Sequence, residues 1–190
     1  MTTYTVQQSA LAHFLFADKK SAPIWLLARL YLGYEFFMAG WGKLWSQTPM
    51  SGTDYIVNHS WVGSDAGVAL AGFVQGAVAK TAGLHPDVYQ WYASFLQSTV
   101  LPNVMVWSNA VVLGEIAIGL GLIVGLCTRS AAFFAFFMAF NFLLAGTVSV
   151  NPTLIMLALG IMLAHRVAGN WGLDRFARPF CQKICSPRRP

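Results

Sequence analysis

The chain has 190 residues, of which 56% are apolar and only 10% charged, with a net charge of +5 and a mean hydropathy of +0.56. A soluble domain carries about 25% charged residues, so this chain lacks the polar surface that water requires and much of it must face lipid. Its cations lie mainly beside apolar runs, where they act as topology signals; this argues against nucleic acid as the reason for the charge.

The elements follow in chain order. Residues 1–22 form a polar N-terminal segment ending in Lys19 and Lys20. The first apolar run is longer than a signal-peptide core and lacks a small-residue cleavage site, so it is expected to be retained. A span needs roughly 20 mostly apolar residues. Residues 23–44, opened by Pro23, meet that length, as do 103–126; 130–148 comes close. A fourth, shorter span is expected over 152–167, opened by Pro152. Residues 45–102 form a long insert between the first two spans. Within it Gly67–Ala79 is apolar but too short to cross, which predicts an interfacial or re-entrant helix. Residues 168–190 form a basic tail. Cys127-Thr128-Arg129 and Thr147–Asn151 are short links that make their neighbours antiparallel. The fold class predicted is all-α: an integral membrane four-helix up-down bundle, one membrane domain, with an extracytoplasmic insert between helices 1 and 2.

Lys and Arg set its direction. Lys19, Lys20, Arg129, Arg166, Arg175, Arg178, Lys183, Arg188 and Arg189 fall on one side of the expected spans; Lys43 and Lys80 fall on the other. Both termini are therefore expected on the cytoplasmic side of the cytoplasmic (inner) membrane. Cys127, Cys181 and Cys185 then face a reducing compartment, where structural disulfides are rare. Two nearby thiols are too few for a closed zinc or iron–sulfur site, and no bound metal or haem is expected.

Polar residues at depth point to chemistry, because a charge near the bilayer centre costs about 2.5 kcal/mol or more. At about 1.5 Å per residue, Glu35, Glu115 and Asn141 reach a similar depth on three helices, with Arg29 about two turns nearer the cytoplasm. Arg29, Gly33, Phe36, Gly40 and Lys43 are spaced by four, three, four and three, a single helical stripe. Glu35 lies off that stripe and should meet a different neighbour. Gly33 and Gly40 on the first helix, and Gly114, Gly121 and Gly125 on the second, are small-residue positions for helix packing. A protonatable carboxyl beside a cation suits proton-coupled chemistry such as quinone reduction, and it also suits anion transport. The same residues admit a purely structural reading: Arg29 reaching the headgroups and the carboxyls buried in hydrogen bonds.

These polar positions also carry a family resemblance. Arg29-Leu-Tyr-Leu-Gly33-Tyr-Glu-Phe36-Phe37-Met-Ala-Gly40-Trp-Gly-Lys43-Leu44 resembles the first-helix signature of the DoxX/DoxD membrane proteins. Gly114-Glu115-Ile-Ala-Ile-Gly119-Leu-Gly-Leu122-Ile-Val-Gly125-Leu-Cys-Thr128-Arg129 resembles their second, and Asn170-Trp-Gly172-Leu173-Asp174 their short motif after the last helix. The resemblance covers roughly residues 23–176, and the long insert is more like DoxD. It implies a four-helix membrane fold and a subunit of thiosulfate:quinone oxidoreductase, which joins thiosulfate to tetrathionate and passes the electrons to membrane quinone as a substrate. It also implies a separate DoxA-like or other redox subunit as partner, since the chain contains no such soluble domain. On this reading Arg29, Glu35 and Glu115 are catalytic, and Lys43, Asn141 and Trp41 bind substrate. Two other functions stand beside it: a non-catalytic anchor or accessory subunit, which self-association would also suit, and a small-anion or sulfur-compound transporter. No inverted repeat supports the transporter.

Overall fold

The computed structural model describes residues 9–47, 55–63 and 65–175. Cys181, Cys185 and the basic residues Arg178, Lys183, Arg188 and Arg189 lie outside the described residues. Helix α1, Ala10–Ala17, is capped by Ser9, whose hydroxyl accepts from the Ala12 amide at 3.2 Å. A turn at Lys19–Ser21 leads into α2, Ala22–Leu44, with Pro23 in the first turn, where its missing N–H has no partner to lose. The Ser21 hydroxyl and the Trp25 indole both donate to the Leu15 carbonyl, at 2.9 and 2.6 Å, and pin α1 against α2.

The segment between α2 and the next long helix is folded. Strands β1, Trp45–Gln47, and β2, Tyr55–Val57, pair antiparallel with Ser46 opposite Ile56. Helix α3, Val68–Ala79, buries Leu70, Val74 and Ala77, a four-three spacing that places them on one face. Helix α4, Gln90–Phe95, does not end there. It continues through a wide turn at Leu96–Val100 and a tight one at Leu101–Asn103 into α5, Val104–Val124. Pro102 cannot donate a helical hydrogen bond and clashes with the preceding turn; changes of helical pitch are how a chain passes such a residue without breaking. The sequence predicts a second span starting at Asn103, but the helical stretch starts at Gln90, because proline here bends the hydrogen-bond pattern instead of ending it.

Cys127, with φ +51°, turns the chain into α6, Thr128–Leu144. Gly146 and Ser149, both at positive φ, turn it again into α7, Asn151–Leu163, followed by the short α8, His165–Ala168. Helix α2 packs chiefly along α5, and α6 along α7, with α5–α6 and α2–α7 contacts joining the pairs. One apolar core lies among these helices, around Leu32, Leu122, Ala135 and Ile161; a second lies under α3 and α4, around Val74, Val88 and Tyr92.

Among the described residues, the stretch Gln90–Val124 is long and apolar enough to cross a membrane by length and composition, with a mean hydropathy of 1.7. Val68–Ala79, Thr128–Leu144 and Asn151–Leu163 are apolar but shorter. Helix α2 has 23 residues but carries Arg29, Glu35 and Lys43, which lower its hydropathy.

Candidate functional site

The four-three stripe of α2 is the face that meets α5. Arg29 and Phe36 are 1% and 4% exposed, and Gly33 and Gly40 are also buried. Lys43, at the end of the stripe, keeps a fifth of its side chain in contact with solvent. Opposite it, α5 buries Ser108, Val112, Glu115, Ile118, Gly119 and Leu122.

Glycines bring these backbones together. A Cβ on Gly40 would stand 2.7 Å from the Ile116 side chain and 3.0 Å from the Glu115 Cβ. A Cβ on Gly119 would stand 2.6 Å from the Phe37 backbone nitrogen. The 2.7 and 2.6 Å distances are shorter than real Cβ contacts, so small residues set the approach. Gly119 belongs to the second-helix motif but not to the packing set predicted from the sequence; its spacing of four from Glu115 is the signal that places it on the buried face. Of that set, Gly33 and Gly40 meet α5, Gly114 meets Met138, and Gly121 faces Ala131. Gly125 differs: at φ +73° it terminates α5 in the left-handed conformation, the usual work of a C-terminal glycine.

The close approach lets Lys43 reach Glu115. The Lys43 ammonium donates to both carboxylate oxygens of Glu115, at 2.7 and 2.8 Å, and to the Ala39 carbonyl at 3.3 Å. It also lies 5.3 Å from the Trp61 ring centroid and 5.9 Å from that of Phe142, within the range where a ring face attracts a cation. Glu115 is only 2% exposed. Taking both ions from water costs several kcal/mol each, and only a paired, hydrogen-bonded geometry offsets it.

The pair lies in the wall of a cleft of about 340 Å³, within the size range of small-molecule sites. Aromatic residues Phe36, Trp61, Phe73 and Phe142 line it, and Thr147, Ser149 and Asn151 supply neutral polar groups. Trp61 is held there by its carbonyl, which accepts from the buried Ser108 hydroxyl at 2.6 Å. Glu35 lines the same cleft, beside Tyr31 one turn earlier; among the described residues it has no ion-pair partner. Two carboxyls and one ammonium thus converge on one apolar space.

Three residues selected from the sequence lie elsewhere. Asn141 faces α4: the Tyr92 hydroxyl donates to its side-chain oxygen at 3.0 Å, and its own amide donates to the Phe137 carbonyl at 2.7 Å. Trp41 is 41% exposed, stacks on Phe37 and meets Trp45 at a tilt. Arg29 lies at the opposite end of the α2–α5 contact. Its guanidinium donates to the carbonyls of Ala168 and Trp171, at 3.2 and 3.0 Å, and is pressed between Gly125 and Gly172.

That far end is closed by the tail motif. The carboxylate of Asp174 accepts from the amides of Cys127 and Thr128, at 2.7 and 2.9 Å, and so caps α6, where the helix dipole favours an anion. The amide of Asp174 donates to the Gly125 carbonyl at 2.8 Å. The motif Asn170–Asp174 is thus a clasp around Arg29 and the α5–α6 turn, and its aspartate is a capping residue.

The described residues contain no cluster of three or more His, Cys, Asp or Glu able to hold a metal. The DoxX family model matches residues 24–148 of the chain, which includes both helix motifs and every cleft-lining residue up to Thr147. No curated protein and no solved structure matches it. With two thirds of its length covered by that match, the chain belongs to the DoxX family of membrane proteins.

Proposed function

We propose that this chain is the membrane subunit of a redox complex that couples thiosulfate oxidation to quinone reduction, and that the Lys43–Glu115–Glu35 cleft is its working site. In this reading α2, the stretch Gln90–Val124, α6 and α7 cross the cytoplasmic membrane as an up-down bundle, with both termini inside. The insert, and the cleft beneath it, face outward. The asymmetry of Lys and Arg supports that direction. Short helices can be accommodated by local thinning of the bilayer.

The observation that carries the proposal is the convergence of one ammonium and two carboxyls in an aromatic-lined cleft. Thiosulfate is a dianion, and Lys43 supplies the cation to hold it. Two thiosulfates each give up one electron, and a sulfur–sulfur bond forms between their terminal sulfurs. A quinone takes up the two electrons and two protons to become a quinol. Glu35 and Glu115 are placed to exchange those protons, and aromatic faces suit a flat quinone ring. A separate redox subunit accepts and relays the electrons. Arg29, tied to backbone carbonyls at the far end, has an architectural role in this scheme.

The test is thiosulfate-dependent reduction of a soluble quinone analogue by the chain purified with its co-purifying partners. Glu115→Gln preserves shape and removes the ionisable group. It should abolish turnover while the complex still assembles. Wild-type turnover in that variant would sink the assignment. A wild-type complex of fixed stoichiometry without thiosulfate-dependent reduction would make the chain an accessory subunit.

A further inference from the structure

The cleft holds an internal conflict that points to how it binds. All the ammonium protons of Lys43 are directed to acceptors within the protein: two to Glu115 and one to Ala39. An anion in the cleft must therefore compete with Glu115 for the same cation. Glu115 is 2% exposed and its Cβ packs against Gly40, so its carboxyl sits in the buried wall of the cleft and not in bulk water. If Lys43 turns to an anion, Glu115 is left as a buried, unpaired carboxylate, and burial strongly disfavours that state. A proton resolves the conflict.

We propose that Lys43 and Glu115 are an exchangeable pair: a small oxoanion takes Lys43, and Glu115 takes up a proton as it does so. The cleft then binds anion and proton together, and the proton that Glu115 takes from solvent offsets one negative charge of the anion. The inference rests on the cleft being the anion site proposed above, and it adds that occupancy and protonation are obligatorily linked.

Among the described residues, the surroundings supply no alternative cationic partner for Glu115. On α2, the charged groups facing it are Lys43 and Glu35. Glu35 is a second acid and would only add to the need for a proton. Helix α3 presents Phe73, α6 presents Phe142, α7 presents Asn151, and the loop before α3 presents Trp61. The remaining buried cation of α2, Arg29, is engaged with Ala168 and Trp171 at the opposite end. Lys80 of the insert donates to the Gly146 carbonyl at 2.7 Å.

The experiment is isothermal titration calorimetry of the purified chain in nanodiscs, with sodium thiosulfate as probe and sodium sulfate as a second dianion. Titrations in buffers of different ionisation enthalpy report the protons taken up per anion bound. For the wild type the expected uptake is about one proton per anion. Thiosulfate affinity should weaken about tenfold per pH unit as pH rises, the signature of one linked proton. Glu115→Gln should bind the anion more tightly, without proton uptake and without that pH dependence. Lys43→Gln should lose binding, and Lys43→Arg should keep it; recovery of binding in the arginine variant excludes misfolding as the cause of the loss. Anion binding with no proton uptake in the wild type, or unchanged uptake in Glu115→Gln, would overturn the exchange while leaving the redox reading intact. Proton-linked binding in a complex that reduces no quinone would uphold the exchange and remove the redox reading. Absence of thiosulfate and sulfate binding in both the wild type and Glu115→Gln would overturn both.

Discussion

The α2–α5 contact carries a basic side chain at each end, and the two are used differently. At the tail end, Arg29 is 1% exposed and donates to backbone carbonyls that cannot titrate or leave. Gly125 and Gly172 press on its guanidinium, and Asp174 ties the same corner to the start of α6. At the insert end, Lys43 holds a carboxylate in the wall of a cleft of about 340 Å³, beside two aromatic rings and with a second carboxyl nearby. Both cations are buried or nearly so, and each has a carboxylate near it, Asp174 by Arg29 and Glu115 by Lys43. Of the two it is Lys43 that pairs directly with its carboxylate and has a cleft beside it. The comparison teaches that a charge inside a membrane protein is a functional signal when its partner can exchange. A charge locked to backbone is a clasp.

Substitutions at the two ends should separate along that line. The largest effect on stability is expected from Lys43→Met, which leaves Glu115 buried without a counter-ion. Breaking a buried pair from one side costs about 3–5 kcal/mol. Thermal unfolding in detergent should show the loss, and binding of thiosulfate should vanish with it. A loss of about 2–5 kcal/mol is expected for Gly125→Ala. Its φ of +73° is unfavourable to a side chain by about 1–2 kcal/mol, and the added methyl would strike the Arg29 guanidinium, an overpacking cost of about 1–3 kcal/mol. The same assay measures it, and thiosulfate binding should survive in the folded fraction.

Gly119→Ala sharpens the comparison at its centre. A methyl there would stand 2.6 Å from the Phe37 backbone nitrogen, so α2 and α5 must separate, at about 1–3 kcal/mol. Because the ion pair depends on that approach, this variant should weaken anion binding as well as stability, which Gly125→Ala should not. The smallest effect belongs to Asp174→Ala. Loss of a helix cap costs about 1 kcal/mol, and quinone reduction at a cleft on the other end should be unchanged.

Much of this architecture was legible in the sequence. The scarcity of charge indicated a membrane protein, and the four-three spacing of Arg29, Gly33, Phe36, Gly40 and Lys43 identified the buried face of α2. The pairing across that face was not legible. Depth along each helix put Glu115 level with Glu35; the residue Glu115 meets is Gly40, more than one turn further along α2, and both carboxyls line the same cleft. The partner of Asn141 was not legible either: α4 covers that face of α6, and the Tyr92 hydroxyl donates to its side chain. The cleft's aromatic wall could not be read, because the helix expected at Gly67–Ala79 carries Phe73 but no local pattern specified that it and Trp61 fold back over α2 and α5. Asp174 stood in a recognisable motif, yet its role as a cap needs the chain to return to the α5–α6 turn, and no spacing encodes that return.

The most direct test of the central claim removes the ion pair without leaving a stranded charge. In Lys43→Met/Glu115→Leu the two apolar side chains should repack, and replacing a buried pair by apolar residues is often neutral or stabilising. Thiosulfate-dependent quinone reduction by that double variant, purified with its partners, is the measurement. The expected result is a folded, assembled complex with near-wild-type thermal stability and no turnover. Turnover at the wild-type rate would show that the Lys43–Glu115 pair is a structural fixture like Arg29 and that the chemistry lies elsewhere.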